Sequence, residues 1–192
     1  MPENITQIPA ARVEIAESPT PYPTRYWYRF FYNLFAILGS GSSRTGAFHS
    51  EQTQSAAAIN TAYAMTFNKT DLSQGVYIGT PTSRVYVDRP GDYNFQFSAQ
   101  FVSTNSSVKN IYIWPAIDGT DVPQSATKIT MKGASEAYLA AWNFVLRMNT
   151  GDYFELKWAT DDTTVQILAE TATAFSPAIP SVILTVAANI GE

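Results

Sequence analysis

Cysteine is absent from the sequence, and histidine occurs only once, as His49. Without cysteine the chain has no disulfide framework, no thiolate metal site and no cysteine nucleophile. A Ser-His-Asp triad needs a histidine between the nucleophile and the carboxylate. His49 follows Phe48 at the start of a strand-rich region, and we predict a structural or solvated role for it. A phosphate-binding glycine loop is missing too, because Gly39-Ser40-Gly41 lacks a following Lys-Ser/Thr pair.

Charged residues are few, at 15% of the 192 residues, against about 25% in a typical soluble domain. Aromatic residues make up 14%, which favours a surface that meets other protein. The net charge is −4, and the 12 Lys and Arg residues are scattered along the chain. Because a nucleic-acid-binding protein needs a clustered basic stripe, we expect no nucleic acid partner.

The carboxylates carry no recognisable catalytic motif. Glycosidase chemistry needs two carboxylates at a set separation, and no motif singles out a pair among the 16 Asp and Glu residues. Four aspartates lie in predicted turns, where carboxylates can bind Ca²⁺ but where Asp is also common for backbone reasons: Asp118, Asp121, Asp161 and Asp162. We therefore predict a protein that is not an enzyme, with no catalytic residue, no metal site and no cofactor.

Proline is concentrated near the start of the chain, at positions 2, 9, 19, 21 and 23. Since proline fixes φ and cannot donate a backbone hydrogen bond, residues 1–24 are predicted to form an extended arm. A helix is predicted over about 25–38, with Thr24 as its N-cap. The glycines and serines of 39–43 are predicted to end it and to form a flexible link. A helix of about 13 residues is too short to span a bilayer, which takes about 20.

The predicted helix is amphipathic. Six large apolar residues recur at steps of three and one, which places them on one face: Trp27, Phe30, Phe31, Leu34, Phe35 and Leu38. An isolated helix with such a face is marginal in water, so we expect it to dock on a partner or to meet its copies in an oligomer. The alternatives are packing on the chain's own sandwich and insertion into a membrane surface. Only Arg25 and Arg29 lie nearby, which weakens the membrane alternative.

From Gly46 onward the pattern changes to short strands separated by turn signals such as Pro90-Gly91-Asp92. The clearest strand alternates apolar and polar residues without interruption over 93–101. Ten strands are predicted, over 62–67, 76–78, 84–87, 93–101, 110–117, 128–131, 137–148, 153–159, 165–170 and 182–188. This number and spacing indicate an all-β fold, namely an antiparallel β-sandwich, jelly roll or barrel.

One predicted strand is informative about assembly. In Tyr138–Met148 both the odd-numbered and the even-numbered residues are largely apolar, so both faces of the strand are apolar. A strand with one solvated face should alternate, whereas a strand buried on both faces need not. A neighbouring subunit or the chain's own loops could cover the second face. Exposed apolar patches often mark interfaces, so we predict an oligomer interface that includes Tyr138, Trp142, Phe144 and Leu146.

Three stretches carry a family resemblance: Thr82-Ser83-Arg84-Val85, Pro90-Gly91-Asp92-Tyr93-Asn94-Phe95-Gln96-Phe97-Ser98-Ala99 and Asn149-Thr150-Gly151-Asp152-Tyr153-Phe154-Glu155-Leu156. The Pro-Gly-x-Tyr-x-Phe turn and the Gly-Asp-Tyr hairpin resemble those of C1q/TNF-like jelly-roll domains. From Gly46 to Ile190 the chain is similar to C1q-like domains at the ends of phage tail fibres and in other virion proteins. Trp27–Leu38 resembles an aromatic anchoring helix near the start of such proteins.

This resemblance implies a ten-stranded jelly roll that packs as a homotrimer and serves attachment. It implies a docking arm over 1–45 and a jelly-roll domain over 46–192, located at the virion surface. The arm is then expected to bind other virion proteins of the capsid or tail. C1q-like trimers sometimes hold Ca²⁺ near the three-fold axis, but no complete ligand loop is legible here.

Three roles remain open on this basis. The first is capsid cement or decoration, and the second is a short tail fibre or receptor-binding protein that meets a host surface glycan or protein. A hydrolase acting on host polysaccharide is a distant third. Most fibre proteins place a shaft between anchor and head, whereas this chain has only Gly39–Thr45. That missing shaft favours the cement role.

Overall fold

The computed structural model describes Ile15 and residues 22–40, 44–133 and 136–188, without the side chains of 35–40. The chain divides into two compact units, Met1–Ser42 and Ser43–Glu192, and each is described by itself. Most of the predicted extended arm lies outside the described residues, as do residues 41–43 of the predicted link.

The described part of the first unit contains one helix, α1 (Arg25–Ser40). It runs two residues beyond the predicted end because Gly39 and Ser40 continue the helical backbone, a difference typical of helix ends. Thr24 stands at the predicted N-cap position, and its carbonyl accepts a hydrogen bond from the Tyr28 N–H at 2.8 Å. No helix in the described ranges is long and apolar enough to cross a membrane.

The described part of the second unit is built from β-strands alone, and every pair of them is antiparallel. In chain order they are β1 (Thr45–Ser50), β2 (Gln54–Ser55), β3 (Tyr63–Ala64), β4 (Lys69–Gln74), β5 (Val76–Ile78), β6 (Val85–Val87), β7 (Gly91–Ser103), β8 (Lys109–Ile117), β9 (Thr120–Asp121), β10 (Thr127–Met131), β11 (Glu136–Met148), β12 (Tyr153–Thr160), β13 (Val165–Ile167) and β14 (Val182–Ala188). The all-β prediction is therefore confirmed.

Two of the predicted strands are wrong over part of their length. The strand predicted over 62–67 reduces to β3. The Met65 N–H still donates to Leu156 of β12, but the backbone then leaves this partner, and the Phe67 N–H donates to Thr82. The apolar alternation there reflects the burial of Met65 and Phe67 in the core. The strand predicted over 165–170 ends at Ile167, and Glu170 forms only an isolated bridge with Ile179.

The first sheet is centred on β7. Strand β11 pairs with β7 over all 13 residues on one side. On the other side β7 pairs with β14 and, further along, with β13. Strand β1 lies between β14 and β4, and β2 pairs with β13. This places β11 at one edge of the sheet and the polar strand β4 at the other.

The second sheet has the order β10-β8-β12-β6-β5, with β9 beside β8 and β3 beside β12. Its inner side chains meet those of the first sheet: Phe95 of β7 stacks on Phe154 of β12 with ring centroids 4.1 Å apart. Phe101 and Trp158 form a second such contact at 5.7 Å. Aromatic pairs of this kind bury large apolar surfaces between the two sheets.

An ion pair fastens the start of the second unit. The Arg44 Nε lies 2.7 Å from Asp88 Oδ1, and the Arg44 carbonyl accepts a hydrogen bond from the Ala188 N–H at 2.8 Å. Gly75 has a φ of +70°, and a side chain there would collide with the Arg44 side chain. Glycine at position 75 therefore leaves room for Arg44 to be buried at the entrance to β1.

Candidate functional site

The predicted docking face of α1 is an aromatic cluster. The Trp27 ring lies 5.7 Å from Phe30 and 5.6 Å from Phe31, centroid to centroid, and Phe30 and Phe31 are 5.6 Å apart. Phe31 and Leu34 are both 37% exposed. The side chains of Phe35 and Leu38 lie outside the described residues. The structure thus brings three of the six predicted side chains into contact, while their docking role stays a prediction.

Tyrosines occupy another side of α1. Tyr28 and Tyr32 stack one turn apart with centroids at 6.4 Å. Both are well exposed, as is Tyr26. A tyrosine combines an apolar ring with a hydroxyl that can stay in water. This side of the helix can therefore remain solvated while the cluster of Trp27, Phe30 and Phe31 is covered.

The charges of α1 do not favour an isolated helix. Its first turn contains no acidic residue and its last turn no basic residue, whereas Arg25 and Arg29 lie towards its N-terminus. Positive charge at that end opposes the helix dipole. Contacts of its aromatic face must then supply more of its stability than its end charges do.

Strand β11 leaves one backbone edge open, since β7 is its only strand partner among the described residues. A 13-residue edge strand presents a row of unpaired N–H and C=O groups. Natural sheets usually cover or blunt such an edge. The length of this one makes β11 the strongest candidate surface for assembly on the second unit.

The four predicted interface residues of β11 share one face. Tyr138, Trp142, Phe144 and Leu146 lie opposite buried residues of β7, so they line the rim of the sandwich core. Phe97 contacts Trp142 at 4.7 Å and Phe144 at 6.1 Å, centroid to centroid. Tyr138, at the end of this row, is 44% exposed. Their place in a trimer interface stays a prediction.

The opposite face of β11 is more open still, with Leu139 62% and Val145 57% exposed. The described residues of the chain therefore do not cover the second face of this strand. In addition, the indole Nε1 of Trp142 is buried and has no hydrogen-bond partner within the described part of the chain. Burying a hydrogen-bond donor without an acceptor costs free energy. A single copy of the protein therefore leaves a hydrogen bond unmade at this rim.

The four turn aspartates bind protein groups. Asp118 accepts from the Tyr153 N–H at 2.9 Å, and Asp121 accepts from Lys157 Nζ at 2.8 Å. The hydrogen bond from Lys157 lowers the pKa of Asp121 below its ordinary value. Among the described residues no three His, Asp or Glu side chains converge as metal ligands would.

The other two aspartates close a loop. Asp161 accepts from the backbone and side chain of Asn110, both at 2.7 Å. Asp162 accepts from the backbone and hydroxyl of Thr164 and from Asn105. The hydrogen bonds from Thr164, chiefly, lower the pKa of Asp162. These contacts agree with the turn-forming interpretation of the aspartates.

His49 projects from β1 on the side opposite the buried Phe48. Its Nδ1 lies 2.8 Å from Asp71 Oδ2, and its Nε2 lies 3.9 Å from Glu51 Oε1. Together with the segment from Leu168 to Ser181, here called the finger, these side chains surround a cavity. The sequence did not predict this cavity, because its walls are far apart along the chain.

The finger also carries Phe175, which is 90% exposed. Its tip is a tight turn in which the Thr173 N–H donates to the Ser176 carbonyl at 3.0 Å. The sequence pattern that could have predicted an exposed loop is a single phenylalanine among small and polar residues over 171–177.

No model of a known protein family matches the sequence, and no curated protein matches it. Solved structures do match the fold. The globular domain of zebrafish complement 1qA is 13% identical, with a TM-score of 0.51, and the match covers 79% of this chain and 100% of that one. The tumour necrosis factor Eiger from S. frugiperda is 9% identical, with a TM-score of 0.51 over 78% of this chain and 94% of that one. The second unit therefore has the C1q/TNF-like jelly-roll fold.

Proposed function

We propose that this protein is a non-enzymatic structural component of a phage particle, namely capsid cement: a trimer of jelly rolls held on the virion by the N-terminal arm. The observation that carries the proposal is the aromatic cluster on α1, an apolar surface formed within the first unit. The resemblance of Trp27–Leu38 to anchoring helices of phage proteins supports the same role.

The energetics favour docking through this cluster. A large aromatic side chain buries roughly 150–250 Å², and burial of apolar surface contributes about 25 cal/mol per Å². Trp27, Phe30 and Phe31 already contact one another, so part of the side-chain ordering cost is met before binding. In a trimer three arms bind together, and the effective concentration of the second and third arms strengthens attachment.

A trimer is proposed on two grounds. The fold is that of C1q and TNF domains, which are typically trimeric. The described residues also leave the edge of β11 and its residues Leu139 and Val145 open. Covering them with a neighbouring copy would remove both an exposed strand edge and an exposed apolar face from water.

A short tail fibre or receptor-binding protein is the second candidate. The observation that favours it is Phe175, because a projecting finger with a 90% exposed aromatic tip suits contact with a host surface glycan or protein.

Copy number per particle distinguishes the two roles. Cement coats the whole capsid and is present in far more copies than a fibre, so quantitative gel densitometry of purified virions separates them.

The docking role is tested by the double variant Trp27→Ala/Phe31→Ala. We expect it to remain folded and trimeric but to be lost from purified virions, because it removes two of the three clustered rings. The matched control is Tyr28→Ala/Tyr32→Ala, which removes the other stacked ring pair of the same helix and should leave incorporation unchanged. Incorporation of the first variant at wild-type occupancy would show that the arm is not the anchor.

A further inference from the structure

A cavity of about 420 Å³ opens beside β1 on the side of the first sheet that faces away from the core. His49 on β1, Asp71 on β4 and Ile183 on β14 form one wall, and residues of the finger form the other. The finger is fastened at its base, because Glu170 and Ile179 exchange two backbone hydrogen bonds of 2.9 Å. The Ala169 N–H also donates to Thr53 Oγ1 at 3.1 Å. These hydrogen bonds hold the base of the finger against the first sheet.

The charged groups that line this cavity are all acidic: Glu51, Asp71 and Glu170. No Lys or Arg is among the lining residues, and the nearby Lys69 Nζ is held by Glu51 Oε2 at 3.2 Å. The Glu170 carboxylate has no hydrogen bond or ion pair to any residue that the structure describes. A recess lined by one sign of charge attracts ions of the other sign.

His49 adds an acceptor to this lining. The Asp71 carboxylate can only accept a hydrogen bond, so at 2.8 Å the Nδ1 of His49 carries the proton of that contact. In the neutral ring Nε2 is then an acceptor. It lies 3.9 Å from Glu51 Oε1, beyond hydrogen-bond distance. The ring is therefore held in place by Asp71, and in its neutral form it offers Nε2 to another donor.

Apart from Thr171, the rest of the wall is apolar. It comprises Ala169, Ala178, Ile179, Pro180 and Ile183. Ligand sites of small molecules typically combine such a lining with a few placed polar groups, in volumes of about 300–1,000 Å³. The acidic groups do not converge as metal ligands within the described part of the chain. The chemistry of the cavity thus favours an organic cation over a metal ion.

We infer that this cavity binds a small organic cation, a primary ammonium on a compact apolar body. The ammonium donates to the Glu170 carboxylate and to the acceptors around His49, while the apolar body packs on Ile179, Pro180 and Ile183. This inference does not depend on the virion role, since it rests on the second unit alone.

Benzylamine and benzyl alcohol test the inference on the full-length protein. They have nearly the same shape, but only the amine is cationic at neutral pH. His49 is the only histidine, so its ring signals in ¹H–¹⁵N NMR spectra report on the cavity without further assignment. We expect saturable shifts with benzylamine at a Kd on the order of millimolar, as for other ligands of few atoms. Benzyl alcohol should bind several-fold more weakly. Equal shifts with both compounds, or none with benzylamine, would overturn the inference.

Charge variants provide the second arm of the test. Glu170→Gln keeps the shape of an exposed side chain and should weaken benzylamine binding about two- to fivefold, the range of a solvent-accessible ion pair. Asp92→Asn is the matched control, because Asp92 pairs with Arg147 at the β7–β11 edge and should bind as the wild type does. Unchanged affinity in Glu170→Gln, or an equal loss in both variants, contradicts a site at Glu170.

Discussion

The ammonium group of Lys109 lies inside the sandwich and is held by neutral oxygen atoms. The side chain is fully buried. Its Nζ donates to Ser103 Oγ at 3.1 Å, to the Gly133 carbonyl at 3.2 Å and to the Asn105 carbonyl. These contacts join the loop after β7 to the end of β10. A buried charge is tolerated only when such partners replace its water.

Lys109→Ala should therefore destabilise the sandwich, because it leaves a void and removes the donor from three buried oxygens. We expect the free energy of unfolding in urea to fall by about 2–4 kcal/mol. Lys128→Ala is the matched control: Lys128 lies on β10 but is exposed, so the change should stay within about 0.5 kcal/mol. Equal stability of the two variants would show that the Lys109 contacts contribute little.

At the scale of elements, α1 combines a well-formed aromatic cluster with end charges that oppose its dipole. Arg25→Glu reverses the unfavourable charge in the first turn and should stabilise the helix by about 0.3–1 kcal/mol. Circular dichroism of a synthetic peptide spanning residues 22–40 should show higher helicity than the unchanged peptide. Arg29→Glu, one turn further in, should have a smaller effect because the dipole acts within the first turn. If Arg29→Glu has the larger effect, the dipole does not explain it.

The strands show which elements a sequence pattern can predict. The limits of β5 and β14 match the prediction, because both are short apolar runs in which alternate residues face the core. Strand β4 was missed because all of its residues are exposed, so no apolar alternation marks it as a strand. Strand β1 was missed as well, since glycine, alanine and serine obscure the alternation around Phe48.

The candidate site was predictable only in part, for a related reason. The spacing along α1 predicted the aromatic cluster, since contacts three or four residues apart are local. The edge position of β11 follows from long-range pairing and could not be predicted from its own residues. The cavity beside His49 depends on the finger, which lies more than a hundred residues after His49 and lines the same cavity as residues of β1 and β4.

For the whole molecule, trimerisation through the rim of β11 is the prediction to test. A truncated protein starting at Ser43 should remain trimeric in multi-angle light scattering at micromolar concentration. Tyr138→Asp places a charge at the exposed end of the proposed interface and should give a folded monomer, because an unpaired charge buried between subunits is unfavourable. Tyr112→Asp, at an exposed position of the second sheet, should leave the trimer intact. A truncated protein that is monomeric would remove the assembly proposal.

The position of β1 has a mechanical consequence. It is the strand that the arm enters, and it lies between β14 and β4, hydrogen-bonded to both. Ladder hydrogen bonds between antiparallel strands run perpendicular to the chain direction. A pull along β1 from its first residue therefore loads both ladders together in shear, whereas an edge strand pulled sideways would open one bond at a time. Arg44 directly precedes β1, so the same pull reaches the Arg44–Asp88 ion pair before it reaches the two ladders. If the arm tethers the protein as proposed, tension on the arm would therefore have to shear two ladders at once rather than peel one strand from an edge.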